Sequence, residues 1–125
     1  MTENEISYHI RGAVFDVYNQ LGPGLLESVY QHVLSYELEL RGFNINTEVA
    51  VPVIYKDKKL DLGFRLDILV NQKVFIELKS VENLHDVHHK QVITYLKLTG
   101  MKLGLLINFN SSNISGSIHR KVNGL

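Results

Sequence analysis

Cysteine is absent from the 125-residue sequence, and so is any long apolar run. Without cysteine the chain has no disulfides, thiolate metal sites or thiol nucleophile, so any metal ion needs oxygen or imidazole ligands. A reducing compartment suits this composition, and we expect a cytoplasmic protein. No apolar segment reaches the roughly 18 residues of a membrane span, and the N-terminal residues lack the pattern of a signal peptide. We therefore expect no membrane association.

A surplus of charge is also lacking, because 13 basic residues balance 13 acidic ones. A neutral chain has no general attraction for a polyanion, which argues against strong non-specific binding to nucleic acid. Basic side chains do cluster locally, at residues 56–59 and at residues 119–121. Ordinary solvated surface is the simpler interpretation of both clusters.

Hydrophobic side chains make up 45% of the sequence and follow two different periods. Spacings of three and four predict helices over residues 5–21, 25–41 and 84–99. Alternating or continuous apolar patterns predict strands over residues 45–55, 60–62, 64–70, 74–79, 103–109 and 117–122. We expect one α/β (α+β) domain over residues 1–125. Its order is N-terminal helices, a three-stranded antiparallel meander, a helix and a further buried strand in a mixed sheet.

The register of one hairpin follows from its sequence, because a slip of one residue exchanges the two faces of a strand. A two-residue loop after Val70 would mix polar with apolar side chains on one face. A three-residue loop over residues 71–73 instead gathers six aliphatic residues on one face, paired as Val70 with Val74, Ile68 with Ile76, and Leu66 with Leu78.

The same register places Asp67 opposite Glu77 and Arg65 opposite Lys79 on the other face. Two opposed carboxylates destabilise a sheet unless a cation lies between them, and Mg²⁺ is commonly held by one or two carboxylates. Lys79 lies one pleat further along and can neutralise the pair or position a water molecule. These are the components of metal-assisted hydrolysis. The alternative is a solvated lattice of surface ion pairs among these four residues, which contributes little.

Polar residues on the predicted helices extend this hypothesis. Glu27 shares a helical stripe with Tyr30 and can point at the sheet, although an acidic residue in a first turn also favours the helix dipole. Gln91 and Tyr95 share a face of the third helix and can reach a phosphate or Lys79; packing at the rim of the core is the alternative.

His85 and His89 are spaced by one helical turn, which suits a transition metal. No third ligand lies at a familiar spacing, and no catalytic glutamate separates the histidines. A solvated or substrate-facing cluster is therefore the better interpretation than a zinc site.

These residues resemble the GxxExxY family of the PD-(D/E)XK nuclease superfamily over nearly the whole chain. The matching elements, in order, are Gly24-Leu25-Leu26-Glu27-Ser28-Val29-Tyr30, Arg65-Leu66-Asp67, Glu77-Leu78-Lys79 and the pair Gln91 and Tyr95. Leu66 stands where the superfamily's name has proline. Four elements in the expected order make the resemblance specific.

The resemblance implies a restriction-endonuclease-like fold and a metal-dependent nuclease acting on nucleic acid, with DNA the expected substrate. Asp67 and Glu77 would bind Mg²⁺ or Mn²⁺ with the main-chain carbonyl of Leu78, and Glu27 would assist directly or through water. Lys79 would orient the attacking water. The expected substrate-positioning residues are Gln91, Tyr95, Arg65 and Tyr30.

Two other functions fit the sequence. One is a non-catalytic module that binds nucleic acid or protein and keeps the nuclease fold, since a fold does not guarantee activity. The other is an interaction protein built around the histidine-rich helix. In the nuclease case we expect a homodimer or a partner protein to supply affinity, because the net charge is zero.

Overall fold

The computed structural model describes residues 1–125 and begins with two packed helices. Helix α1 spans Glu3–Leu21, and the hydroxyl of Thr2 caps it by accepting the N–H of Glu5 at 3.2 Å. It ends at Gly22, where a positive φ of 66° suits a glycine. Helix α2 spans Glu27–Leu40, so it begins two residues later than the sequence predicts.

The strands form one mixed sheet and one separate hairpin. Their bounds are β1 Ile45–Ala50, β2 Val53–Tyr55, β3 Lys58–Leu60, β4 Arg65–Val70, β5 Val74–Lys79, β6 Leu103–Asn108 and β7 Ile118–Val122. Helix α3 spans Asp86–Thr99, between β5 and β6. The main sheet has the order β1-β4-β5-β6-β7, in which only β5 and β6 are parallel. This confirms the predicted α/β class, with a meander, a helix and a further buried strand.

Helices cover both faces of the main sheet. On one face, α1 and α2 pack on alternate side chains of β4, β5 and β6, and together they form a core cluster of 19 buried residues. On the other face, α3 contributes Val92, Tyr95 and Leu96 to a cluster of eight. None of the three helices combines the length and the apolar content needed to cross a lipid bilayer.

The predicted register of β4 and β5 is confirmed next to their turn. Val70 pairs with Val74, and Ile68 pairs with Ile76. Asn71 and Gln72 have φ values of 51° and 57°, and the N–H of Lys73 donates to the carbonyl of Val70 at 3.0 Å. Positive φ at both central residues is the pattern of a type I′ turn, whose twist matches that of the flanking strands.

One predicted strand, over residues 45–55, is broken in the structure. β1 ends at Ala50, and β2 pairs only with β3 in a two-stranded hairpin outside the main sheet. Pro52 lies at the break, where its missing N–H prevents a continuous ladder. The preceding N–H, that of buried Val51, donates to the carbonyl of Phe64 at 2.8 Å instead.

The prediction that Leu66 shares a face with Ile68 is wrong. Leu66 lies in the α3-side cluster, whereas Ile68 and Val70 lie in the cluster under α1 and α2. The face changes at Asp67, whose pairing with Glu48 is missing from an otherwise regular β1–β4 ladder. Glu48 has a φ of 53°, which interrupts the pleat of β1 at that position.

Candidate active site

The ladder between β4 and β5 stops where the two predicted acids begin. Beyond Ile68 and Ile76 no further main-chain pair forms. Instead, the N–H of Asp67 donates to Oε1 of Glu77 at 3.2 Å, and the N–H of Leu78 donates to Oδ2 of Asp67 at 2.7 Å. Each carboxylate therefore accepts a main-chain N–H from the opposite strand, and these two bonds fix both side chains.

Burial makes this pair of acids electrostatically unfavourable. Glu77 is only 5% exposed, and burial, followed by repulsion from Asp67, raises its pKa to about 8. Burial also raises the pKa of Asp67 to about 6, against the lowering effect of the N–H of Leu78. The charge of Lys79 lowers the pKa of both carboxyls but does not offset burial. A bound cation would stabilise the ionised forms.

An acidic cavity of about 190 Å³ lies beside Asp67, and Glu77 is not part of its lining. It is lined by Glu27, Ser28, Gln31, Glu48, Asp67 and Leu78. Glu27 opens helix α2, and its Oε1 accepts the N–H of Ser80 just after β5 at 3.3 Å. The hydroxyl of Ser80 donates to the carbonyl of Leu25 at 2.5 Å, so two bonds join the start of α2 to the end of β5.

The donor set of this cavity suits a hard divalent cation held partly by water. No three histidine or acidic side chains converge closely enough to hold a metal ion by themselves. Mg²⁺ does not require such a cage, because it keeps several waters and takes one or two carboxylates together with substrate oxygens. Asp67 and the residue Leu78, whose carbonyl is a further oxygen donor, line the same cavity as Glu27.

Tyr30, predicted to position substrate, lies in the core instead. Its side chain is fully buried, and its ring stacks on Phe109 with the centroids 4.3 Å apart. Its hydroxyl donates to the carbonyl of Gly22 at 2.5 Å and accepts the N–H of Leu25 at 3.2 Å. Tyr30 thereby holds the loop that leads into Glu27, a structural role that accounts for its place in the motif.

Arg65, also predicted to position substrate, pairs with Asp61 and forms no ion pair with Asp67 or Glu77. Its guanidinium forms an ion pair with Asp61 at 2.9 Å and also donates to the carbonyl of Phe64. Within the main sheet Arg65 pairs with Ala50 of β1 and does not pair with Lys79. The loss of the ladder beyond Ile68 removes the opposition that the predicted register required.

Lys79, Gln91 and Tyr95 lie together along a groove between the end of β5 and helix α3. Gln91 donates from Nε2 to the hydroxyl of Tyr95 at 3.0 Å, and Tyr95 is nearly buried. The ammonium group of Lys79 forms no ion pair within 4.0 Å and no hydrogen bond. Lys79 therefore has a charged group that is available to a ligand, next to two fixed acids.

Among the residues of the acidic cavity that the sequence analysis missed, Gln31 and Glu48 are linked to Asp67. Nε2 of Gln31 donates to Oε1 of Glu48 at 2.8 Å and to the carbonyl of Asp67 at 2.9 Å. Glu48 looked like a solvent-facing residue of an alternating strand. The available signal was that Gln31 follows Glu27 by one helical turn, which puts both side chains on the same face of α2.

Asn108 is a third residue that the sequence analysis missed. It is 5% exposed and closes β6, where its side chain bonds both the N–H and the carbonyl of Val81. These bonds fix the segment that leaves the candidate site after Lys79. A polar cavity of about 320 Å³ lies on the far side of Asn108 and contains none of the predicted site residues.

The histidines of α3 do not form a metal site. The N–H of His85 donates to Nδ1 of His88 at 3.0 Å, which satisfies a main-chain group at the start of the helix. His89 lies edge-on to His119 of β7, with the ring centroids 4.9 Å apart. Packing and helix capping account for this cluster.

The fold agrees with the comparison to known families. The sequence profile of the PD-(D/E)XK nuclease superfamily matches residues 4–121. Curated proteins and solved structures give no significant match. The mixed sheet, flanked by α1 and α2 on one face and by α3 on the other, is consistent with a restriction-endonuclease-like fold. The chain therefore belongs to the PD-(D/E)XK nuclease superfamily.

Proposed function

We propose that this protein is a metal-dependent nuclease of the GxxExxY family that hydrolyses phosphodiester bonds, with DNA as its substrate. The observation that carries the proposal is a pair of hydrogen bonds between β4 and β5 in which side-chain carboxylates accept main-chain N–H groups. Asp67 and Glu77 each accept an N–H from the opposite strand, while Lys79 follows on β5 without a partner. Fixed acids beside a free ammonium group suit phosphoryl chemistry.

The proposed cofactor is Mg²⁺ or Mn²⁺. Asp67, Glu77 and the main-chain carbonyl of Leu78 would hold the ion, with Glu27 assisting directly or through water. When bound, the ion would lower the pKa of a coordinated water and stabilise charge on the phosphate. Support comes from the acidic lining of the cavity and from the repulsion between Asp67 and Glu77, which a bound cation would relieve.

The side chains of the chain itself then have separate tasks. Asp67 and Glu77 hold a fixed orientation because the opposing strand restrains both carboxylates. Lys79 orients the attacking water toward the phosphorus, opposite the leaving oxygen. Gln91 and Tyr95 line the groove beside Lys79 and position it or the phosphate. A second copy or a partner protein adds affinity, because the net charge of the chain is zero.

A cleavage panel tests the reaction. Single-stranded and duplex DNA and RNA are incubated with Mg²⁺, Mn²⁺ or EDTA, using wild type, Lys79→Ala and Lys97→Ala. Lys97 is an exposed lysine of α3 and serves as the matched control. We expect metal-dependent cleavage of DNA by wild type and the control, and a loss on the order of a thousandfold in Lys79→Ala. Full activity of Lys79→Ala would refute the proposed centre.

Calorimetric titration with Mg²⁺ or Mn²⁺ tests the metal separately. We expect one divalent site that Asp67→Ala abolishes and that Glu39→Ala, the removal of an exposed carboxylate on α2, leaves intact. Binding of nucleic acid with neither metal binding nor cleavage would instead identify a non-catalytic module.

A further inference from the structure

The groove beside Lys79 differs in chemistry from the acidic cavity. It has a volume of about 510 Å³, within the range of roughly 300–1,000 Å³ that is typical of small-molecule sites. Its apolar walls are Phe64, Val87, Tyr95 and Leu98. Metal-assisted hydrolysis of a phosphate does not by itself require an apolar groove.

Exposed apolar side chains form the walls of this groove. Phe64 is 41% exposed and Val87 is 64% exposed, on the segment before β4 and on the first turn of α3. The ring of Phe64 lies 6.0 Å from the buried ring of Tyr95, which packs in turn against Phe75. The core therefore supports one accessible aromatic side chain in the groove, the partly exposed ring of Phe64. Stacking on such a ring is how proteins hold unpaired bases.

Polar and cationic groups interrupt this apolar lining. Gln91 uses its Nε2 for Tyr95, but its Oε1 has no partner within the chain. Lys79, His88 and Lys90 also line the groove, and no acidic side chain does. This charge is complementary to the phosphates of a nucleic acid, while an amide oxygen and apolar walls suit a base.

The groove also has a defined position relative to the acids. Lys79 lines it and is close enough to Asp67 and Glu77 for its charge to act on both carboxyls. A nucleotide whose base lay between Phe64 and Val87 would therefore place its backbone near the proposed catalytic centre.

We propose that this groove binds one unstacked nucleobase of a single-stranded nucleic acid, next to the phosphate that reaches Lys79. The inference rests on the proposed function for its class of ligand and deepens it by naming the substrate form. A base inside a duplex must be unpaired and unstacked before it can enter, which costs energy. Single strands, flaps and frayed ends are therefore bound and cut in preference to continuous duplex.

Binding by a cleavage-deficient protein tests the groove independently of catalysis. In the Asp67→Asn background, fluorescence anisotropy measures affinity for labelled 12-residue DNA and RNA strands and for the corresponding duplexes. Each strand is also prepared with one abasic nucleotide at successive positions. We expect tighter binding of single strands, and one position at which the abasic change weakens binding about 5- to 100-fold.

Phe64→Ala and Leu62→Ala are compared in the same background. Leu62 is 59% exposed, lies two residues earlier and does not line the groove, so its variant should keep the abasic signature. Phe64→Ala should weaken binding of the intact strand and remove the effect of the abasic position. Equal affinity for strand and duplex, or an unchanged signature in Phe64→Ala, would overturn the inference.

The failure of this inference can be told apart from failure of the proposed function. If wild type shows no cleavage and yet the Phe64-dependent abasic signature is present, the groove proposal is supported and the nuclease proposal is refuted. If wild type and Phe64→Ala both cleave duplex and single strands at equal rates, the nuclease proposal is supported and the groove proposal is refuted.

Discussion

The two ends of the β4–β5 hairpin are made from the same two strands but satisfy their main chains differently. At the closed end, next to the turn, Val70 and Ile68 pair with Val74 and Ile76, and all four side chains are buried in one cluster. At the open end, the carboxylates of Asp67 and Glu77 take the place of main-chain acceptors. The closed end stabilises the hairpin through main-chain pairing and apolar burial, whereas the open end lacks that pairing and places the buried Glu77 beside Asp67.

This contrast explains why the acids are tolerated. Where the β4–β5 ladder has stopped, main-chain N–H groups that would otherwise pair with carbonyls are free to donate to the carboxylates of Asp67 and Glu77. Glu48 extends the same irregularity into β1, where it leaves the ladder opposite Asp67. Local departures from regular structure of this kind concentrate at functional sites.

The largest expected effect on stability comes from the closed end. Ile76 is fully buried between β4 and β6, and Ile76→Ala should lower the free energy of unfolding by about 2–5 kcal/mol through lost burial and a residual cavity. Cleavage per folded molecule should remain near that of wild type. Urea denaturation measures the first quantity, and cleavage normalised to the folded fraction measures the second. A stability loss below about 1 kcal/mol would contradict the assigned role of the closed end.

The open end should behave in the opposite way. The pKa of Glu77 is raised from 4.5 to about 8, so the unfolded chain ionises at lower pH than the folded chain. Stability of the metal-free protein should therefore fall as pH rises from about 4.5 to about 8, with Asp67 contributing to the lower part of this range. In Glu77→Gln the stability should depend less on pH, and this variant should be more stable than wild type at pH 8. It should nevertheless lose cleavage activity.

Thermal unfolding in EDTA across this pH range measures the stability of the metal-free protein. Mg²⁺ should reduce the fall in wild type, because a cation favours the ionised carboxylates, and should have a smaller effect in Glu77→Gln, which keeps only Asp67 of the pair. A wild-type protein whose stability is constant between pH 4.5 and pH 8 would contradict the burial of an acid at this position.

The pairing of residues could be predicted from the sequence at the closed end but not at the open end. The register of Val70 with Val74 follows from the period of two and from the need to keep aliphatic residues on one face. The same rule misplaced Leu66, because it assumes an unbroken pleat, whereas β4 changes face at Asp67, opposite the positive φ of Glu48 on β1. Arg65 was misplaced because the β4–β5 ladder stops at Ile68 and Ile76. No single-strand pattern reveals where two neighbouring strands stop pairing.

Some residues of the candidate site could likewise be predicted from the sequence, and others could not. The positions of Asp67, Glu77 and Lys79 on adjacent strands were predictable from spacing, and the motif drew attention to Glu27. Tyr30 belongs to the same motif but is a core residue, because a conspicuous side chain can hold a loop as well as touch a ligand. Gln31 went unnoticed, since only the folded sheet brings its amide to the carbonyl of Asp67.

A smaller effect is expected from Gln31, which links α2 to the open end. Gln31→Ala removes the bonds to Glu48 and to the carbonyl of Asp67 and leaves the proposed metal ligands present. We expect cleavage or metal affinity to fall about 10- to 100-fold, as for other residues that orient metal ligands. Stability should change by no more than about 1 kcal/mol.

Metal titration of the cleavage rate distinguishes a positioning role from a structural one. Gln31→Ala should require more metal for half-maximal rate, while Gln20→Ala, an exposed glutamine on α1, should not. If both variants keep the wild-type metal dependence, Gln31 does not position the site.

The smallest effect is expected at the turn of the closed end. Gln72 has a φ of 57°, a conformation that costs energy for most side chains but not for glycine. Gln72→Gly creates the Asn-Gly pair favoured in type I′ turns and loses one exposed bond, from Nε2 of Gln72 to Oδ1 of Asn46. We expect a gain of about 0.5 kcal/mol in the free energy of unfolding, with cleavage unchanged. A loss of stability would show that the bond to Asn46 outweighs the strain. A change in cleavage would show instead that the two ends of the hairpin are coupled through β4 and β5.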